Sequence, residues 1–61
     1  MKISELLSVT SKAMTVYCFE QYDSKYDNYG EVKEERKIEL NEKEVVMLES
    51  INAEEINIYY K

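Results

Sequence analysis

The most apolar stretch of the chain is Met14–Phe19, Met-Thr-Val-Tyr-Cys-Phe, where β-branched and aromatic residues crowd together without a charge. Alternation from Ala13 to about Tyr22 sets Met14, Val16 and Cys18 on one face of a strand and Thr15, Tyr17 and Phe19 on the other. Both faces are apolar, which predicts either cover on both sides or a helix on one side and a partner chain on the other. Ahead of it, Ile3, Leu6, Leu7 and Thr10 recur at helical spacing, with Ser4 at an N-cap position and Glu5 beside it. The spacing predicts a short helix from Ser4 to about Val9, too short to persist unless its leucines dock on the sheet.

Beyond the first strand, Tyr22–Gly30 holds turn residues and three tyrosines with no aliphatic side chain, the composition of a hairpin loop, with Asn28 and Gly30 as the expected sites of positive φ. From Glu31 to Leu40 the pattern alternates again. Val32, Glu34, Arg36, Ile38 and Leu40 fall on one face, and Glu31, Lys33, Glu35, Lys37 and Glu39 on the other, which predicts a half-exposed strand with one wholly charged face. Asn41–Glu44 admits two readings. Asn41 with Glu44 three residues on resembles a capping box opening a helix, whereas Val45, Val46 and Ile51 favour a strand, the preferred reading. Ile56–Tyr60 closes the chain as a strand with Ile56, Ile58 and Tyr60 facing in and Asn57 and Tyr59 facing out.

These elements predict an α+β fold in a single small domain, residues 1–61: one short N-terminal helix packed on a four-stranded, mainly antiparallel meander sheet in the order 1-2-3-4. Its outer strands would be open edges, which invite dimerisation. A chain of 61 residues buries only about 60% of the surface its unfolded form exposes, so a homodimer or a tight partner would add needed stability. One glycine and no proline predict few sharp turns and no linker.

Charge narrows the function. Thirteen Asp and Glu against eight Lys and Arg give a formal charge of −5, the wrong sign for phosphate contacts and so against direct nucleic-acid binding. An acidic protein is steered instead toward a basic protein surface. Lys33, Arg36 and Lys37, the one basic cluster, are interrupted by Glu34 and Glu35. Cys18 is the only cysteine, which excludes an internal disulfide and fits a small buried hydrophobe in a reducing, cytoplasmic setting. The opening residues lack the apolar core of a secretion signal, and no run approaches the length of a membrane span, so no membrane partner is expected.

Candidate chemistry is sparse. The chain has no histidine, which removes the commonest general base and metal ligand, and no catalytic residue, metal site or cofactor is expected. Asp23, Asp27, Asn28 and Glu31 carry oxygen ligands, but their spacing departs from a calcium loop and fits a solvated turn better. The expected partner-binding surface joins Tyr22, Asp23, Tyr26, Asp27, Tyr29 and Glu31 to the acidic row continued by Glu35 and Glu39. Tyrosines supply contact area at small entropic cost, and the carboxylates suit a basic partner. One or two of these rings could instead fold back over the sheet.

The opening Met1-Lys2-Ile3-Ser4-Glu5-Leu6-Leu7, the Thr15-Val16-Tyr17 strand, Glu44-Val45-Val46 and the terminal Ile56-Asn57-Ile58-Tyr59 resemble the short accessory proteins encoded by phages and prophages of low-GC Gram-positive bacteria. Some small acidic phage proteins are anti-defence inhibitors, including anti-CRISPR proteins that occupy basic nucleic-acid channels. The resemblance implies a non-enzymatic inhibitor acting in the host cytoplasm on a protein or ribonucleoprotein. The alternative is a homo-oligomeric accessory or structural subunit with no inhibitory role.

Overall fold

The computed structural model describes all 61 residues. Its fold is α+β, with two helices and a four-stranded sheet in chain order α1 (Ile3–Leu7), β1 (Thr15–Glu20), β2 (Tyr26–Asn28), α2 (Glu34–Asn41), β3 (Val45–Ser50) and β4 (Glu55–Tyr60). The sheet is mixed and runs β2-β1-β4-β3, not the meander order expected. β1 pairs antiparallel with β2 and parallel with β4, and β4 pairs antiparallel with β3. A parallel neighbour requires the chain to cross over between the two strands, and the segment through β2, α2 and β3 makes that crossing.

The second helix replaces the strand expected over Glu31–Leu40. Val32, Arg36 and Leu40 stand four residues apart, a spacing that suits one face of a strand and one face of a helix equally. Composition then decides, because Glu34-Glu35-Arg36-Lys37 and Leu40 are strong helix formers and only Ile38 in this run is β-branched. Glu34 and Glu35 lie in the first turn, where the helix dipole favours negative charge. Leu40 is fully buried and Val32 packs against the core, while Ile38 faces solvent.

The first helix starts earlier than expected. Its cap is Lys2 rather than Ser4, and the Lys2 N–H donates to Glu5 Oε1 at 2.9 Å. The cause is a tether to the start of β3: Ile3 N–H donates to the Lys43 carbonyl at 3.0 Å and Val45 N–H to the Met1 carbonyl at 2.8 Å. Ion pairs from the Met1 ammonium to Glu44 and from Lys2 to Glu42 reinforce it.

Both helices lie on one face of the sheet. There Ile3 and Leu6 of α1 and Leu40 of α2 meet Val16 and Cys18 of β1 and Ile58 and Tyr60 of β4. The inward positions of β1 and β4 are those alternation assigned, and residues 45–50 form the preferred strand. Positive φ occurs at Tyr22 (71°), in the turn after β1, and at neither Asn28 nor Gly30. Asn28 ends β2 opposite Tyr17, and its Oδ1 accepts the Gly30 N–H at 3.1 Å, so an Asx turn reverses the chain without a left-handed residue.

Candidate functional site

No helix covers the second face of the sheet. In register, β1 contributes Thr15, Tyr17 and Phe19 to that face, β2 contributes Tyr26 and Asn28, β4 contributes Glu55, Asn57 and Tyr59, and β3 contributes Met47 and Glu49. The rings form a continuous row across three strands. Tyr26 meets Tyr17 edge-on with centroids 5.5 Å apart, leans on Phe19 at 5.2 Å, and Phe19 stacks on Tyr59 at 5.2 Å. Such contacts hold each ring in one orientation and present a preformed aromatic surface.

Two carboxylates are fixed at the margins of this row by its hydroxyls. The Tyr17 hydroxyl donates to Glu55 Oε2 at 3.0 Å, and Asn52 Nδ2 donates to Glu55 Oε1 at 2.7 Å. The Tyr59 hydroxyl donates to Glu49 Oε1 at 2.9 Å, which also accepts Asn57 Nδ2 at 3.2 Å. Donation from Asn52 and then from Tyr17 holds the Glu55 carboxyl below its ordinary range and therefore ionised. The same bond raises the Tyr17 phenol, with burial and the nearby charges of Glu55 and Glu31 adding to it. All eight basic residues lie outside the four strands, so no strand contributes a positive charge to the face.

The residues expected to bind a partner do not form one surface. Tyr26 belongs to the aromatic row and is 58% exposed. Glu31 lies close enough to Tyr17 to raise its phenol. Tyr22, 98% exposed, and Asp23 sit on the turn leading into β2. Tyr29 folds inward instead, packing against the core and donating to Asn41 Oδ1 at 2.6 Å. Asp27 pairs with Cys18 on the helix side of the sheet, where its Oδ2 accepts Arg36 Nε at 3.1 Å and Nη2 at 2.9 Å. Glu35 and Glu39 lie exposed on α2, and Glu39 accepts Arg36 Nη1 at 3.0 Å. Tyr17, Phe19 and Tyr59, which carry most of the aromatic row, were legible only as outward-facing strand positions.

Two open depressions flank the core. One, about 480 Å³ and lined in part by Leu7, Met14, Tyr29 and Glu31, has a single carboxylate in its wall. The other, about 310 Å³, gathers Glu20, Asp23 and Asp27 beside Lys25, Arg36 and Tyr60. There Asp27 is committed to Arg36, and Asp23 Oδ1 accepts the Lys25 N–H at 2.9 Å. No group of three or more His, Cys, Asp or Glu is placed to hold a metal ion. No helix is long and apolar enough to cross a membrane. Comparison with protein-family models, curated proteins and solved structures gives no match to this chain.

Proposed function

We propose that the protein is a non-enzymatic binding protein that inhibits a host complex by occupying a basic, nucleic-acid-binding protein surface with the helix-free face of its sheet. One observation carries this reading. Four aromatic rings in mutual contact share a face with the carboxylates of Glu49 and Glu55, and no strand bears a lysine or arginine. Aromatic faces and carboxylates together suit arginine, whose flat guanidinium stacks on a ring while its N–H groups reach an acid. The carboxylates are already oriented by Tyr17 and Tyr59, so little ordering is needed when the partner arrives. Of the tyrosine loop, Tyr26 lies on this face, whereas Asp27 and Tyr29 serve the fold.

The test is capture of host proteins on the immobilised chain, with and without competing RNA or DNA. A basic nucleic-acid-binding protein should be retained, displaced by nucleic acid, and lost with Tyr26→Ser or Glu55→Lys. Retention that ignores both substitutions and the competitor would refute the reading.

A further inference from the structure

The helix-free face holds the same small assembly twice. In each, a tyrosine hydroxyl and an asparagine amide donate to one glutamate: Tyr17 and Asn52 to Glu55 at 3.0 and 2.7 Å, and Tyr59 and Asn57 to Glu49 at 2.9 and 3.2 Å. Each carboxylate is thereby locked beside an aromatic ring. In the second assembly both donors use Oε1, so Glu49 Oε2 accepts no hydrogen bond from the chain. The ion pairs of the molecule engage Glu44, Glu42, Asp27 and Glu39. Glu49, Glu55 and Glu31, which lies near Tyr17, take part in none of them. The negative charge of this face is therefore unmatched within the fold, and a cationic occupant complements it. Register sets the distance between the two assemblies. Glu49 pairs with Asn57, which lies two residues beyond Glu55 on β4. Two residues along a strand and one strand across put the two glutamates about 8 Å apart at the backbone. Alternate residues of an extended chain project to one side at intervals of about 7 Å, whereas adjacent residues project to opposite sides.

We infer that the face takes an extended arginine-X-arginine segment of its partner, one guanidinium against Tyr17 and Glu55 and the other against Tyr59 and Glu49. The inference rests on the binding role proposed above and adds what the partner must present. Arginine is selected over lysine because a guanidinium is flat and weakly hydrated, so it lies against a ring while its N–H fork reaches the carboxylate beside it. A lysine ammonium is a compact, strongly hydrated charge that offers no plane to the ring. The alternate spacing follows from the register, since two adjacent arginines on an extended chain cannot both face the sheet.

NMR titration of the full chain with three blocked peptides of equal charge, built on Arg-Ser-Arg, Lys-Ser-Lys and Arg-Arg-Ser, tests it, because one spectrum reports binding and fold together. Arg-Ser-Arg should shift the ring signals of Tyr17 and Tyr59 and bind about tenfold more tightly than Lys-Ser-Lys and about fivefold more tightly than Arg-Arg-Ser. Glu49→Gln and Glu55→Gln should each weaken it by about tenfold, through loss of one charge-assisted contact. Should Glu55→Gln lose the native spectrum, Glu49→Gln decides the matter, because Glu49 is exposed. Equal affinity for the three peptides, no binding up to about 10 mM, or binding that folded variants leave unchanged would overturn the inference. Capture of a nucleic-acid-binding protein that is lost with Tyr26→Ser, beside peptides that do not separate arginine from lysine, would remove this inference and leave the binding role standing. Arginine-selective binding with no such protein captured would do the reverse.

Discussion

Arg36 is the fastener between the helix layer and the sheet, and its removal should cost far more than a surface arginine ordinarily does. From α2 its guanidinium donates twice to Asp27 of β2, once to the Tyr60 hydroxyl of β4 at 3.1 Å and once to Glu39. Asp27 holds the guanidinium charged even more firmly than usual, chiefly through the hydrogen bond between them. Hydrogen bonds to charged groups contribute about 1.5–3 kcal/mol, while fully exposed ion pairs contribute about 0–1 kcal/mol. The Arg36 and Asp27 side chains are 34 and 31% exposed, so solvent screening puts their coupling between these limits, at about 1–1.5 kcal/mol. Truncation also leaves the hydroxyl of Tyr60, a buried residue, without its donor, a penalty of about 1 kcal/mol or more.

Arg36→Ala should therefore destabilise the fold by about 2–3 kcal/mol, against the roughly 3–9 kcal/mol expected of a domain this size. The melting temperature would fall by about 10–20 °C. Urea denaturation of the wild type, Arg36→Ala, Asp27→Ala and the double variant isolates the coupling, with Glu39→Ala as the exposed control, expected to cost under about 0.5 kcal/mol. Equal losses from Arg36→Ala and Glu39→Ala, or a coupling under about 0.3 kcal/mol, would refute the reasoning. Two tyrosine-loop neighbours that look alike in sequence then separate by readout: Asp27→Ala should lower the melting temperature and leave partner capture intact, whereas Tyr26→Ala should abolish partner capture at a stability cost of about 1 kcal/mol from its contacts with Tyr17 and Phe19.

Burial pushes the Cys18 thiol up to about 11, with the charge of Asp27 adding to the rise. Alkylation by iodoacetamide at pH 7–8 should consequently proceed only through unfolding, and a rate independent of added urea below the transition would contradict this. Since the folded thiol is raised, its contribution to stability is intact below the ordinary value of 9.0, erodes as pH climbs, and is gone once pH passes about 11. Cys18→Ser should flatten the alkaline limb of a pH–stability curve. Glu55 runs the other way: its carboxyl is held low, so its contribution is present above the ordinary carboxylate range and lost as pH falls through the folded value. Glu55→Gln should flatten the acid limb, and an unchanged limb would exclude the Asn52 and Tyr17 bonds as its source. Tyr22 holds a left-handed backbone without a glycine, so Tyr22→Asn should raise stability by about 0.5–1 kcal/mol in thermal melts.

The parts legible in the sequence are those that local pattern governs. Val16 and Cys18 against Tyr17 and Phe19, and Ile58 and Tyr60 against Tyr59, take the faces that alternation assigned. Failures arise where two periods coincide or where distant partners decide. Val32, Arg36 and Leu40 satisfy a period of two and a period near four at once, and helix propensity broke the tie. Tyr26–Asn28 is too short to read as a strand until β1 lies beside it. The parallel union of β1 with β4 has no local signature, yet it alone brings Tyr59 onto Phe19 and extends the aromatic row from β2 and β1 onto β4.

Strand order also explains the one place where local pattern and global position disagree. In the expected meander, Val45–Leu48 would form an inner strand with a neighbour on each side, the setting such an apolar run calls for. The observed order gives it β4 alone. Val46, Met47 and Leu48 are consequently 44, 53 and 44% exposed, so a segment whose strand propensity is plain locally ends at an edge that only the non-local pairing of β1 with β4 determines.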